Sequence, residues 1–164
     1  YEDVVLLPEI ERSAAQSFTS IPSLAWIAEG PCLPVATHMA SLEAGTCWVA
    51  VTHQGRPVGF LTAERVRDRL HILALSVEAE AQGRGVGRAL LAAARQAAQQ
   101  GGFQRITLTT CRDVPWNAPF YQKIGFEILE ERALEPDLRA ALAEEEECGF
   151  PPGTRCAMQL RLQE

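Results

Sequence analysis

Residues 71–96 read HILALSVEAEAQGRGVGRALLAAARQ. The apolar run over 70–77 predicts a buried strand. A short polar turn follows, with glycine at 83, 85 and 87. The next stretch, 86–100, is apolar at Val86, Leu90, Leu91, Ala94 and Ala97, the spacing of one helical face, and Gly101-Gly102 closes it. Few folds place three alternating glycines between a buried strand and a strong helix. Without Cβ atoms, the N–H groups of such a turn can converge on one concavity. The helix behind it adds free N–H groups and the positive end of its dipole. Together they make a seat for an anion such as a pyrophosphate, with Arg84 and Arg88 at its rim. A glycine-rich turn that binds nothing is the plainer alternative.

The rest of the chain frames this unit. An edge strand is expected over 3–7, ended by Pro8, then a helix over 9–18. A Pro-, Ser- and Gly-rich stretch over 19–34 carries Trp26, and a second helix over 37–43 stops near Gly45. Strands are expected over 47–52, 57–65, 70–77, 105–111, 126–129 and 155–162. A short helix over 115–124 ends at Gly125, and 135–147 reads as a polar helix or loop. Hairpin strands beside a strand–helix–strand crossover imply a mixed α/β sheet with helices on both faces. At 164 residues the chain has the length of one domain.

Composition narrows the partners. A net charge of −6 argues against nucleic acid or an anionic membrane surface and is compatible with a cationic substrate. Lys123 is the only lysine among 15 basic residues, a bias that reflects a GC-rich genome more than a function. The five cysteines form no CxxC and no Cys/His cluster, so neither a disulfide framework nor a metal site is expected. Reduced thiols point to a cytoplasmic setting. The opening YEDVVLLPEIERS has no basic segment and reaches acidic residues at once, so it does not read as a signal peptide.

Two nucleotide motifs fail on the glycine turn. Walker A needs Gly-Lys-Ser/Thr, and here Gly87-Arg88-Ala89 stands. The dinucleotide fingerprint needs Gly or Ala where Arg88 sits, and no acidic residue ends the following strand, RITLTTC.

A third pattern fits. Gln82-Gly83-Arg84-Gly85-Val86-Gly87 resembles the Q/R-x-x-G-x-G/A signature of the GNAT family of N-acetyltransferases. Asn117-Ala118-Pro119-Phe120-Tyr121 and Gly125-Phe126 resemble its second segment, FYxxxGF. The close match covers residues 70–129. One departure is Val114, where many members carry Asn; Asn117 lies three residues later and either caps the helix or contacts the cofactor.

The resemblance implies a mostly antiparallel, seven-stranded sheet and acetyl-CoA as co-substrate, with no metal. It implies acyl transfer to a primary amine of a small molecule or peptide by direct attack on the thioester. The alternative is a regulatory module of the same fold that binds acyl-CoA without chemistry. In the family a strand bulge splays the sheet, and the pantetheine arm pairs with exposed backbone; Leu75, Ser76 and Val77 occupy that place. Gln82, Gly83, Arg84, Gly85, Val86, Gly87 and Arg88 would hold the pyrophosphate. Tyr121 matches the usual general acid. A glutamate eleven residues before the motif Gln serves as base in some members, and that position is His71. It shares strand parity with Leu73, Leu75 and Val77, so it should face their way. Glu29, Glu43 and Asp113 are lesser candidates, and His38 and His53 read as surface residues.

The acceptor cleft is expected between 17–45 and 135–153. Glu144-Glu145-Glu146-Glu147 could attract a polyamine, an aminoglycoside or a basic peptide, or form a solvated helix face. Trp26, Trp48 and Trp116 either line the cleft or fill the core. The family reading also allows a homodimer.

Overall fold

The computed structural model describes residues 2–162. Six strands form one sheet: β1 (Cys47–Val51), β2 (Pro57–Val66), β3 (Arg69–Val77), β4 (Arg105–Cys111), β5 (Glu127–Ile128) and β6 (Arg155–Arg161). Their order is β1-β2-β3-β4-β6-β5. Only the β3–β4 pair is parallel, because α3 (Val86–Gln100) crosses over between them. The five helices are α1 (Leu7–Ala15), α2 (Val35–Glu43), α3, α4 (Ala118–Ile124) and α5 (Pro136–Glu147). No helix among the described residues is long and apolar enough to cross a membrane.

The alanine-rich α3 buries Leu90, Leu91, Ala94 and Ala98 against the sheet, and Tyr121 of α4 and Phe126 complete that core with Leu61, Ile72, Leu108 and Met158. On the opposite face α1 packs Leu7 and Ile10 onto Phe60.

One expected strand is absent, so the sheet has six strands among the described residues, not seven. Residues 3–7 lie in a 3₁₀ turn (Glu2–Leu6) that runs into α1. Val4, Leu7 and Ile10 are the buried residues, a spacing of three that suits a helix rather than a strand. Pro8, read as a stop, sits in the first turn of α1, where no N–H is needed.

His38 is also corrected. It is fully buried on α2, with Nδ1 2.7 Å from Thr62 Oγ1 and its ring edge-on to Phe60. Burial lowers its pKa. His53 is exposed.

α5 docks mainly through charge. Arg69 of β3 is fully buried, donates to Thr107 Oγ1 at 2.7 Å and pairs with Asp137, while Glu135 pairs with Arg105. Leu138 adds the one fully buried apolar side chain of the helix. Arg69 is the buried member of this pair and Asp137 is 42% exposed, so it is loss of the carboxylate that leaves a buried charge short of its partner. Asp137→Ala is therefore expected to cost about 2 kcal/mol, read as a lower urea midpoint at unchanged slope. A shift below about 0.5 kcal/mol, the size of an exposed pair, would show that α5 is held by other means.

Candidate active site

Glu64 pairs with His71 and Ala63 with Ile72, but Thr62 pairs with Ala74, so Leu73 is an extra residue in β3. A bulge of this kind bends its strand and reverses the side on which later residues emerge. Two consequences follow. The parallel ladder between β3 and β4 covers only Arg69, Leu70 and His71 and stops before the bulge. Beyond it, among the described residues, the edge of β3 facing away from β2 has no strand partner. The parity expected for His71 is also overturned. Leu75 and Val77 lie on the α3 and α4 side with Ile72, whereas His71 lies on the opposite face, toward α5.

The gap beside the free edge widens into a cavity of about 640 Å³. Leu75, Ser76 and Val77 form one wall, and Gln82, Gly83, Gly85, Val86, Gly87 and Arg88 form another. Asn117, Phe120 and Tyr121 close it from α4 and the loop before it. Arg84 is exposed and outside this lining; His71 is half-buried and also outside it, on the other face.

Gly83 and Gly85 have φ of +77° and +81°, values that L side chains rarely adopt. This lets the chain enter α3 with its amides turned outward. The first backbone bond of α3 is Ala89 N–H to Gly85 O, at 3.0 Å. Among the described residues, the N–H groups from Gly83 to Arg88 have no backbone acceptor. Gln82 donates from Nε2 to Val77 O at 2.9 Å and so braces the turn against β3.

Asn117 precedes α4 but makes no capping bond. Its Nδ2 donates to Trp116 O at 3.2 Å, while its Oδ1 is buried without a partner. A buried acceptor left unpaired is costly unless a ligand satisfies it.

Tyr121 is 8% exposed, wedged edge-on between Phe120 and Phe126. No protein group among the described residues bonds its hydroxyl. Burial pushes its pKa far above the ordinary phenol value, and the Arg155 charge partly opposes this.

His71 takes part in a different network. Its Nδ1 lies 2.9 Å from Thr107 Oγ1 and 3.4 Å from an Arg69 nitrogen. Burial, then the Arg69 charge, lowers its pKa to about 4. Glu29, Glu43 and Asp113 are exposed and outside the cavity lining.

Of the two expected acceptor walls, the first contributes Phe18, Ile27, Ala28, Gly30, Pro31 and Cys32, and the second contributes nothing to the lining. In the acidic run, Glu145 binds Arg155 at 2.8 Å and Thr109 at 3.0 Å, while Glu144, Glu146 and Glu147 are exposed. The tryptophans divide. Trp116 lines the cavity edge-on to Phe18, Trp26 meets Phe150 edge-on outside the lining, and Trp48 packs on the main core. Sequence reasoning missed Glu11 and Arg12, which α1 brings to the cavity. Both lie in a segment correctly read as helical, but nothing local marks the face it turns to the site.

The family model described as the Acetyltransferase (GNAT) family matches residues 10–126. Solved structures of similar fold include the PaiA N-acetyltransferase of Thermoplasma acidophilum in complex with coenzyme A. It is 16% identical at a TM-score of 0.67, over 98% of this chain and 93% of that one. The ribosomal-protein-S18-alanine N-acetyltransferase of Escherichia coli is 18% identical at a TM-score of 0.65, over 99% and 90%. A Bacillus anthracis chain in complex with acetyl coenzyme A is 22% identical at a TM-score of 0.57, over 71% and 62%.

Proposed function

The chain belongs to the GNAT acetyltransferase family, and on that premise we propose that it moves an acetyl group from acetyl-CoA to a primary amine. The observation that carries this reading is the meeting, in one cavity, of an unpartnered strand edge, a turn of free N–H groups and a phenol with no protein partner.

Each wall fits a different part of the co-substrate. The free edge of β3 at Leu75, Ser76 and Val77 offers main-chain groups to an extended amide-bearing arm, in the manner of an added strand. The N–H groups from Gly83 to Arg88, with the Arg88 side chain, suit a pyrophosphate at the start of α3. Arg84 adds charge from outside the lining. Asn117 Oδ1, buried and unpaired, suits an N–H of the ligand. The thioester supplies the acyl group and departs as a thiolate. Tyr121 donates the proton that neutralises this thiolate. Burial keeps the phenol protonated through the working pH range, and the same dry site raises the proton affinity of the thiolate it serves.

A base role for His71 has to meet its surroundings. Its Nδ1 is engaged by Thr107 and Arg69, and the ring stands on the face of β3 opposite the cavity, outside its lining. We therefore assign deprotonation of the amine to water.

The test is release of coenzyme A thiol from acetyl-CoA with a panel of primary amines, with acetyl-CoA affinity measured by calorimetry. Turnover with at least one amine is expected. Tight cofactor binding with no turnover across the panel would favour a regulatory module. The pH profile then checks the base. With a pKa of about 4, His71 is already neutral above pH 5, so it contributes no ascending limb near neutrality. The limb should follow the pKa of the acceptor and persist in His71→Gln. A limb near the ordinary histidine value of about 6.5, abolished by that substitution, would return the role to His71.

A further inference from the structure

The cavity is not uniform in charge. The glycine turn and Arg88 make one part of it anion-seeking. On the wall formed by α1 and residues 30–33, Glu11 is the only carboxylate in the lining among the described residues, with Arg12 exposed beside it. Both Glu11 oxygens share a single donor, the Leu33 N–H, at 3.1 and 3.2 Å. A carboxylate has about four acceptor positions, so part of this one is unused. Among the described residues no ion pair compensates Glu11, although it is partly withdrawn from water. Burial accordingly raises its pKa, against the Leu33 bond and the Arg12 charge. The thiol of Cys32 stands on the same wall and donates to Pro8 O at 3.4 Å, not to Glu11. Apolar side chains that share the cavity with Glu11 are Phe18, Ile27 and Trp116.

A half-buried carboxylate without an ion-pair partner, beside apolar side chains, is a seat for a cation with a hydrophobic body. We propose that Glu11 anchors the ammonium of the acceptor and that its wall selects primary amines carrying an apolar or aromatic group. This rests on the acetyl-transfer reading above and names the acceptor class for it. Glu11 acts here as a substrate-binding residue. Its bond to Leu33 holds it in place, so Glu11→Gln keeps an acceptor for that N–H while removing the charge.

The experiment measures binding of phenethylamine, its neutral counterpart 2-phenylethanol, and spermidine to the coenzyme A-loaded protein by calorimetry. The wild type is expected to prefer phenethylamine over 2-phenylethanol by about 10- to 100-fold, the span of a hydrogen bond to a charged group. In Glu11→Gln that preference should fall to near parity while coenzyme A affinity stays unchanged. Parity in the wild type, which needs no variant to fold, overturns the proposal. So does a preference that survives in Glu11→Gln, or spermidine binding more tightly than phenethylamine. Thiol release is read on the same samples. Turnover that ignores Glu11 would leave acetyl transfer standing and remove this assignment. A Glu11-dependent preference with no turnover would keep the assignment and count against transfer.

Discussion

Gly87→Glu is expected to weaken coenzyme A binding at least about 100-fold, equivalent to about 2.7 kcal/mol, with little change in Tm. The position separates binding from folding. Gly87 lies in the first turn of α3, and a Cβ there would meet Phe120 Cζ at 3.5 Å, an ordinary contact. A carboxylate in the first turn complements the helix dipole, so the helix itself is not weakened. What changes is the occupant of the cradle. The new side chain places its own negative charge against the N–H groups from Gly83 to Arg88, and a pyrophosphate arriving there meets a like charge. Gly87→Ala, which adds only the tolerated Cβ, should bind within a few-fold of the wild type. Gly85 is the poorer choice: at φ +81° any side chain is strained, and a binding defect would be mixed with a folding defect. A folded Gly87→Glu protein with wild-type coenzyme A affinity would move the pyrophosphate away from this turn.

Tyr121→Phe should lower kcat by roughly 10²- to 10⁴-fold, the range of general acid catalysis, and leave acetyl-CoA affinity within about threefold. The ring makes the packing contacts, edge-on to Phe120 and Phe126, and phenylalanine keeps them. Among the described residues the hydroxyl has no protein partner to abandon, so no buried group is orphaned and Tm should hold. The loss should therefore appear in kcat, with KM for the amine little changed, because the proton moves only as the thiolate departs. A decrease smaller than tenfold, or an equal loss of cofactor affinity, would reduce Tyr121 to a wall residue. Single-turnover rates with excess enzyme exclude slow product release as the hidden step.

Much of this site is written in short stretches of sequence, and the reason is physical. A turn that needs positive φ at Gly83 and Gly85, a helix whose apolar positions recur on one face, and a tyrosine four residues before a helix-ending glycine are properties of neighbouring residues. Local backbone preferences determine them, so strand, glycine turn, α3 and α4 are legible in order and nearly in extent.

Other features were decided only by tertiary pairing. The bulge at Leu73 exists because β2 pairs on either side of it in two registers, and it sends His71 to the face opposite Leu75. Alternation along a single strand carries no sign of an inserted residue, since the partner strand defines it. Residues 3–7 could serve a strand or a turn, and docking of Val4 and Leu7 in a helical register chose the turn. His38 is polar by type but buried by its place on α2 opposite Thr62, 24 residues away. Glu11 is held at the cavity because the N–H of Leu33, 22 residues on, donates to its carboxylate. The sequence by itself determined the local geometry that can hold an anion and present a phenol. Only the folded chain decided which side chains share that space, because burial and facing depend on contacts between residues distant in sequence.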